Sequence, residues 1–201
     1  MALRAVIFDF GGVLGRGTGV SQQHAWEERL GLTPGGLDLE VWQSPVAKWA
    51  RVGRAQPEEV WAYLRERFGL GAQEVAELER DLFSGEQLDE ELVAFLHSLQ
   101  PHYKTAILSN CWPGARQVME ERYGLNRVVD ELILSYEVGI AKPDLRIFAM
   151  AAARLGVRSQ ETVFVDDVTA NVTAAQAAGM TSVRFESTEQ AIAAVRAALG
   201  L

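Results

Sequence analysis

Cysteine is nearly missing from this 201-residue sequence: Cys111 stands alone, so no intramolecular disulfide can form and a reducing compartment fits. Excess positive charge is missing too. Lys and Arg number 19 against 27 Asp and Glu, a formal net charge of −8, which argues against non-specific binding to nucleic acid or an anionic membrane. No apolar run reaches spanning length. The N-terminal apolar stretch is cut by Asp9 and no small-residue cleavage site follows it, so it does not read as a signal peptide. A cytoplasmic protein is expected. Internal repeats and low-complexity tracts are also absent. What remains is an ordinary globular balance, 48% hydrophobic and 23% charged, ample for one full core and short for two large domains.

Five short apolar runs predict strands: Ala5 to Phe8, Thr105 to Leu108, Glu131 to Leu134, Thr162 to Val165 and Thr181 to Phe185. Several are almost continuously apolar, as in a sheet covered on both faces. Helical spacing follows most of them. Asp89 to Leu99 carries Leu92, Phe95, Leu96 and Leu99, with Asp89 as N-cap. Asp144 to Leu155 follows Pro143, which fits a first helical position. Asn171 to Ala178 stops at Gly179, and Thr188 to Leu199 closes the sequence. Alternating strands and helices predict an α/β fold, a Rossmann-like, doubly wound parallel sheet.

One stretch breaks the alternation. From about Gly15 to Gly85 no strand is legible, and helices are expected over Ser21 to Leu30, Leu39 to Arg51 with a break at Pro45, Pro57 to Phe68 and Gln73 to Phe83. The expected division is therefore a core of residues 1–14 and 86–201, with a small α-helical cap at 15–85 inserted after the first strand.

The chemistry-bearing residues cluster where expected strands end, which is where open parallel sheets bind ligands. The first strand runs into Asp9-Phe10-Gly11-Gly12, a carboxylate followed by glycines that let the backbone approach a ligand. The second ends in Ser109-Asn110, able to donate to an anionic oxygen. Lys142 precedes Pro143, at the start of an expected helix whose dipole favours anions. The fourth ends in Asp166-Asp167, a costly pair unless cations neutralise it, with Asn171 one turn on. Each motif alone fits an ordinary turn or a solvated side chain. Together they supply a nucleophile, oxyanion donors, a cation and an oxygen-rich metal site.

This ordered set resembles the haloacid dehalogenase superfamily over nearly the whole sequence. It looks closest to the phosphatase-like domain of soluble epoxide hydrolase and to bacterial sugar-1-phosphate phosphatases, whose cap segment is similar to Ala50 to Ala55 with Glu58 and Glu59. The resemblance implies Asp9 as covalent nucleophile and Lys142 as catalytic cation. It implies phosphate binding by Ser109, Asn110 and the backbone of Phe10 and Gly11. It further implies Mg²⁺ held by Asp9, the Gly11 carbonyl and Asp167, with Asp166 in the metal site supporting Lys142 or a metal-bound water. A Mg²⁺-dependent phosphatase of small phosphorylated metabolites is the expected function, working as a monomer or homodimer. One departure matters: family phosphatases place an Asp, as general acid and base, where this sequence has Gly11. That keeps two other readings open, a dehalogenase using the same Asp9 and a non-catalytic phosphate-binding module.

Other side chains carry less. His24, Lys48, Arg51 and Arg54 offer polar groups from the insertion but are expected as exposed helix residues. Trp42, Trp49 and Trp61 are expected in its core, Trp112 as a pocket wall, Cys111 as a small pocket or core residue, and His97 and His102 in solvent.

Overall fold

The computed structural model describes residues 2–17 and 20–201. Residues 1, 18 and 19 of the expected core and insertion lie outside the described residues. Five parallel strands form one sheet: β1 Ala5–Phe8, β4 Lys104–Ser109, β5 Glu131–Leu134, β6 Thr162–Asp166 and β7 Thr181–Arg184, in the order β5-β4-β1-β6-β7. The chain leaves β1 toward β4 and β5, then returns to its other side for β6 and β7. β1 therefore lies at the switch of direction, where parallel sheets open a crevice beyond the strand ends.

Period-two alternation divides each strand between two apolar layers. Val6, Phe8, Ile107, Val163 and Val165 face one cluster with Leu92, Phe95 and Leu96 of α6 Glu90–Leu99 and with Ala191 and Val195 of α11 Thr188–Leu199. Ala5, Ile7, Ala106, Leu108 and Phe164 face the other, with Ile147, Phe148 and Ala151 of α9 Leu145–Arg154 and Ala175 of α10 Thr169–Ala177. Burial on both faces explains why these strands read as continuous apolar runs. Asp89 caps α6 as expected, its Oδ1 accepting the Leu92 N–H at 2.9 Å.

Between β1 and α6 the described residues form five helices: α1 Val20–Leu30, α2 Gly36–Gln43, α3 Pro45–Arg51, α4 Pro57–Phe68 and α5 Ala72–Phe83. Pro45 does break the second expected helix, with Ser44 between the two pieces accepting the Ala47 N–H on its Oγ at 3.3 Å. These helices bury a cluster of their own that includes Trp26, Leu37, Val41, Trp61, Leu64 and Leu78. A strand was not expected here, yet β2 Gly15–Gly17 pairs antiparallel with β3 Glu86–Leu88 at the base of the insertion. Gly-Arg-Gly has little strand propensity, so the pairing comes from its partner and not from its own side chains. Among the described residues no helix is long and apolar enough to cross a membrane.

Two aromatic placements differ from expectation. Trp49 is 56% exposed, on the outer face of a seven-residue helix that has too little inner face for it. Trp112 belongs to the insertion's cluster, not to an open wall. Its ring lies 4.6 Å from Trp42 and 5.9 Å, edge-on, from Trp61, geometries that favour aromatic pairs.

Candidate active site

The sheet register brings the candidate groups together. Phe8 pairs with Ile107 of β4 and with Val165 of β6, so Asp9 emerges between the ends of those strands, where Ser109 and Asp166 stand. The Asp9 N–H continues the ladder by donating to the Val165 carbonyl at 2.8 Å. Asp9, Asp166 and Asp167 each present a carboxylate oxygen within 4.8 Å of the others. Ser109 is 3% exposed at the end of β4.

Lys142 is buried between two of these acids. Its Nζ lies 2.7 Å from Asp9 Oδ1 and 2.7 Å from Asp166 Oδ2. Burial pulls the ammonium down, but the Asp9 and Asp166 carboxylates outweigh it and hold its pKa above the ordinary lysine value. Burial pushes Asp9 the other way, up to about 7, against the pull of Lys142 and with the push of Asp166. Asp167 is also raised, by burial first and then by its neighbour Asp166. Three carboxylates facing one ammonium leave two negative charges formally uncompensated.

The helix reading of Lys142 needs correction. Asp144 is the N-cap of α9, accepting the Arg146 N–H at 3.0 Å, so Pro143 lies before the cap and not at the first helical position. Lys142 is oriented by carboxylates instead of by that helix end. Its backbone is held by Asn110, whose Oδ1 accepts the Lys142 N–H at 2.9 Å and whose Nδ2 donates to the Lys142 carbonyl at 2.8 Å. The Asn110 carboxamide, expected at an anion, thus uses its Oδ1 and one Nδ2 hydrogen to position the lysine. The Phe10 N–H, also expected at an anion, donates to Asp9 Oδ1 at 2.7 Å.

The acidic pair divides its work. Asp166 Oδ1 accepts from the Val168 N–H at 2.8 Å and Asn171 Nδ2 at 3.0 Å; Oδ2 accepts from Lys142 and from Asn171 Nδ2 at 3.1 Å. Both oxygens are filled, so Asp166 has little left for a metal. Asp167 Oδ1 is buried with no hydrogen-bond partner. Such an orphaned oxygen is expensive in a dry site and suits a cation. The Asp167 carboxylate packs over Gly12, whose φ is +80° and where a Cβ would meet Oδ2 at 2.4 Å, so only glycine gives that acid its place. Oxygen donors with two uncompensated charges fit a hard divalent cation such as Mg²⁺, through Asp9 and Asp167. Asn171 stands one turn past the acidic pair in the sequence; that it holds Asp166 depends on a turn of α10 that the motif alone does not reveal.

Sequence reasoning also missed Ser135. Buried at the end of β5, its Oγ donates to the Arg51 carbonyl at 2.7 Å and accepts the Cys111 N–H at 3.0 Å, tying the insertion to the loop after Ser109. Gly53, with φ +72°, passes so close to the Tyr136 carbonyl that a Cβ would sit 2.3 Å from it. Arg51 is half-buried and not an exposed helix residue, whereas His24, Lys48, Arg54, His97 and His102 are exposed as expected. Burial pushes the Cys111 thiol up to about 12, so it stays protonated near neutrality and is no nucleophile.

Residues 3–179 match the hydrolase family described as haloacid dehalogenase-like hydrolase. The chain is 27% identical over 179 residues to the sesquiterpene phosphatase astK of Aspergillus oryzae, covering 88% of this chain and 87% of that protein. It is 26% identical over 181 residues to a D-ribitol-5-phosphate phosphatase of Bacteroides thetaiotaomicron, covering 85% of each. In fold it is similar to a crystallised Bacteroides thetaiotaomicron enzyme of the same superfamily, in complex with magnesium and inorganic phosphate. There the TM-score is 0.75 at 19% identity, over 92% of this chain and 95% of that one.

Proposed function

The chain belongs to the haloacid dehalogenase-like hydrolase family, and from that premise we propose that it is a Mg²⁺-dependent phosphatase of small phosphorylated metabolites, acting through an aspartyl-phosphate on Asp9. The observation that carries this reading is Lys142 clamped between Asp9 and Asp166, beside an Asp167 oxygen with no partner.

Lys142 and the Phe10 N–H both hold Oδ1 of Asp9, which leaves Oδ2 to attack phosphorus. Asp9, Asp167 and the Gly11 carbonyl would hold Mg²⁺, which would supply Lewis-acid neutralisation of the phosphate. Ser109 binds a phosphate oxygen, and the Lys142 charge offsets what develops on the transferred group. The bond from phosphorus to the leaving oxygen breaks as the Asp9 acyl phosphate forms, and water then hydrolyses that acyl phosphate to aspartate and inorganic phosphate. Gly11 has no side chain to protonate the leaving oxygen, so esters with good leaving groups, such as sugar-1-phosphates, acyl phosphates or aryl phosphates, are the favoured substrates. The helical insertion acts as a cap over this crevice.

A 2-haloacid dehalogenase would share Asp9, but the two uncompensated negative charges repel a carboxylate substrate. Gly11 favours a second alternative, a module that binds phosphate esters without turning them over. Phosphate release from a panel of phosphometabolites, with and without Mg²⁺ and beside chloride release from 2-haloacids, separates the three. Asp9→Asn is expected to bring Mg²⁺-dependent phosphate release to background. Turnover unchanged in that variant would remove Asp9 as nucleophile.

A further inference from the structure

A cleft of about 360 Å³ lies between the insertion and the core, outside the carboxylate cluster. Lys48, Arg51 and Arg54 line it from the end of α3, and Gly139 to Ala141, Asp144 and Arg146 line it from the core. Four cations thus face one acid in a chain whose net charge is −8. The acid is already taken, since Asp144 pairs with Arg146 at 2.6 Å. Among the described residues, Lys48, Arg51 and Arg54 make no ion pair.

Arg51 is the most telling of the three. It is half-buried, and its hydrogen bond goes to the Trp42 carbonyl, not to a carboxylate. Burial without a counter-charge lowers its pKa. A desolvated guanidinium with no acid is unfavourable unless a ligand supplies the anion, and its planar fork suits carboxylate or phosphate. Arg116, by contrast, is held by Glu120 and Glu137 at 2.7 Å each.

The cleft is linked to the candidate active site through the chain. Its core side is the segment that carries Lys142, whose Nζ touches Asp9. Its insertion side hangs on the Arg51 carbonyl, which Ser135 ties to Cys111, two residues past Ser109. The cleft thus borders Lys142 through the chain, since Ala141 of its wall is the residue before it.

We propose that this cleft is a subsite for a second anionic group on the substrate, so that the preferred substrates are phosphate monoesters whose other end carries a carboxylate or a second phosphate. The proposal rests on the phosphatase reading above and adds the substrate class. Arg51 binds the distal anion directly, and Lys48 and Arg54 raise its local concentration from the rim.

Matched esters test it. Phenyl phosphate is compared with 4-carboxyphenyl phosphate, and glucose 1-phosphate with glucose 1,6-bisphosphate, in Mg²⁺ with the full chain, so that each pair keeps a good leaving group. The wild type is expected to favour the charged-tail member of at least one pair by about tenfold or more in kcat/KM, as charge-assisted contacts do. The responding pair tells carboxylate from phosphate. Arg51→Met should bring that ratio close to one, mainly through KM; Arg54→Gln should lower it less, and Arg51→Lys should keep part of it. A wild-type ratio near one in both pairs overturns the subsite, as does a preference that survives in both Arg51→Met and Arg54→Gln. If no ester is turned over, the phosphatase reading fails by itself. Calorimetric titration of the same pairs then decides the cleft: tighter binding of the charged member, lost in Arg51→Met, supports it, and equal binding overturns it.

Discussion

The strand ends and the seam beside the insertion handle charge in opposite ways. Around β1 and β6, Lys142 answers Asp9 and Asp166, Asn171 and the Val168 N–H fill what remains of Asp166, and one Asp167 oxygen is left over. At the end of α3, three cations stand without acids, one of them half-buried. The first arrangement is set before any ligand arrives, which is what positioning for phosphoryl transfer requires. The second is complete only when an anion is supplied. Packing differs in the same sense. The sheet is held by two continuous apolar layers, whereas the insertion is joined to the core through a few points: Trp112, the Ser135 hydroxyl and the Gly53 approach.

The sharpest way to break this contrast is Gly11→Asp. A Cβ at Gly11 meets nothing within 4 Å, so the backbone there admits a side chain. If the core lacks nothing but a proton donor, kcat on alkyl phosphates should rise by about 10²–10⁴. No gain in a steady-state assay would mean the proton already comes from elsewhere. Next in size, Trp112→Ala should remove about 3–5 kcal/mol, as truncation of a buried aromatic does. Hydrogen exchange should then show α2 and α4 opening while β4 stays protected; an even loss across the chain would contradict the separate apolar clusters. Gly53→Ala comes third. Its left-handed backbone and the Tyr136 carbonyl make the substitution unfavourable by about 1–3 kcal/mol in strain, before any clash. Gly69→Ala, at φ +65° with open space around it, is the control, and urea denaturation should place the Gly53 variant clearly below it. The smallest effect is at Cys111, which lies between the two regions. With its thiol pKa at about 12, the reactive thiolate is scarce at pH 8 and appears only as pH climbs toward that value. Iodoacetamide should therefore label the folded protein at pH 8 far more slowly than the urea-unfolded protein; equal rates would place Cys111 in open solvent.

Much of the core was legible because its strands carry their own signal. Burial on both faces turns β1, β4, β5 and β6 into apolar runs, and a polar or acidic residue after each run marks the strand end. The four longer helices of the insertion were visible from Pro and Gly punctuation. β2 was not, because Gly-Arg-Gly owes its conformation to Glu86–Leu88, 70 residues away along the chain. Trp49 and Trp112 exchanged their expected places for a related reason. Helix length and the fit between insertion and core decide which aromatic is covered, and neither is local.

By itself the sequence determined the α/β order of elements and the set of groups beyond the strands: Asp9, Ser109 and the acidic pair at strand ends, and Lys142 in the turn before α9. Those features are local, fixed by periodicity and by the residues that end each run. Only the tertiary structure decided how the groups share the work. It spent Asn110 on the Lys142 backbone, filled Asp166, left Asp167 open over Gly12 and gathered unpaired cations at the seam. Hydrogen-bond capacity and desolvation belong to neighbours brought together by folding, and no spacing along the chain encodes them.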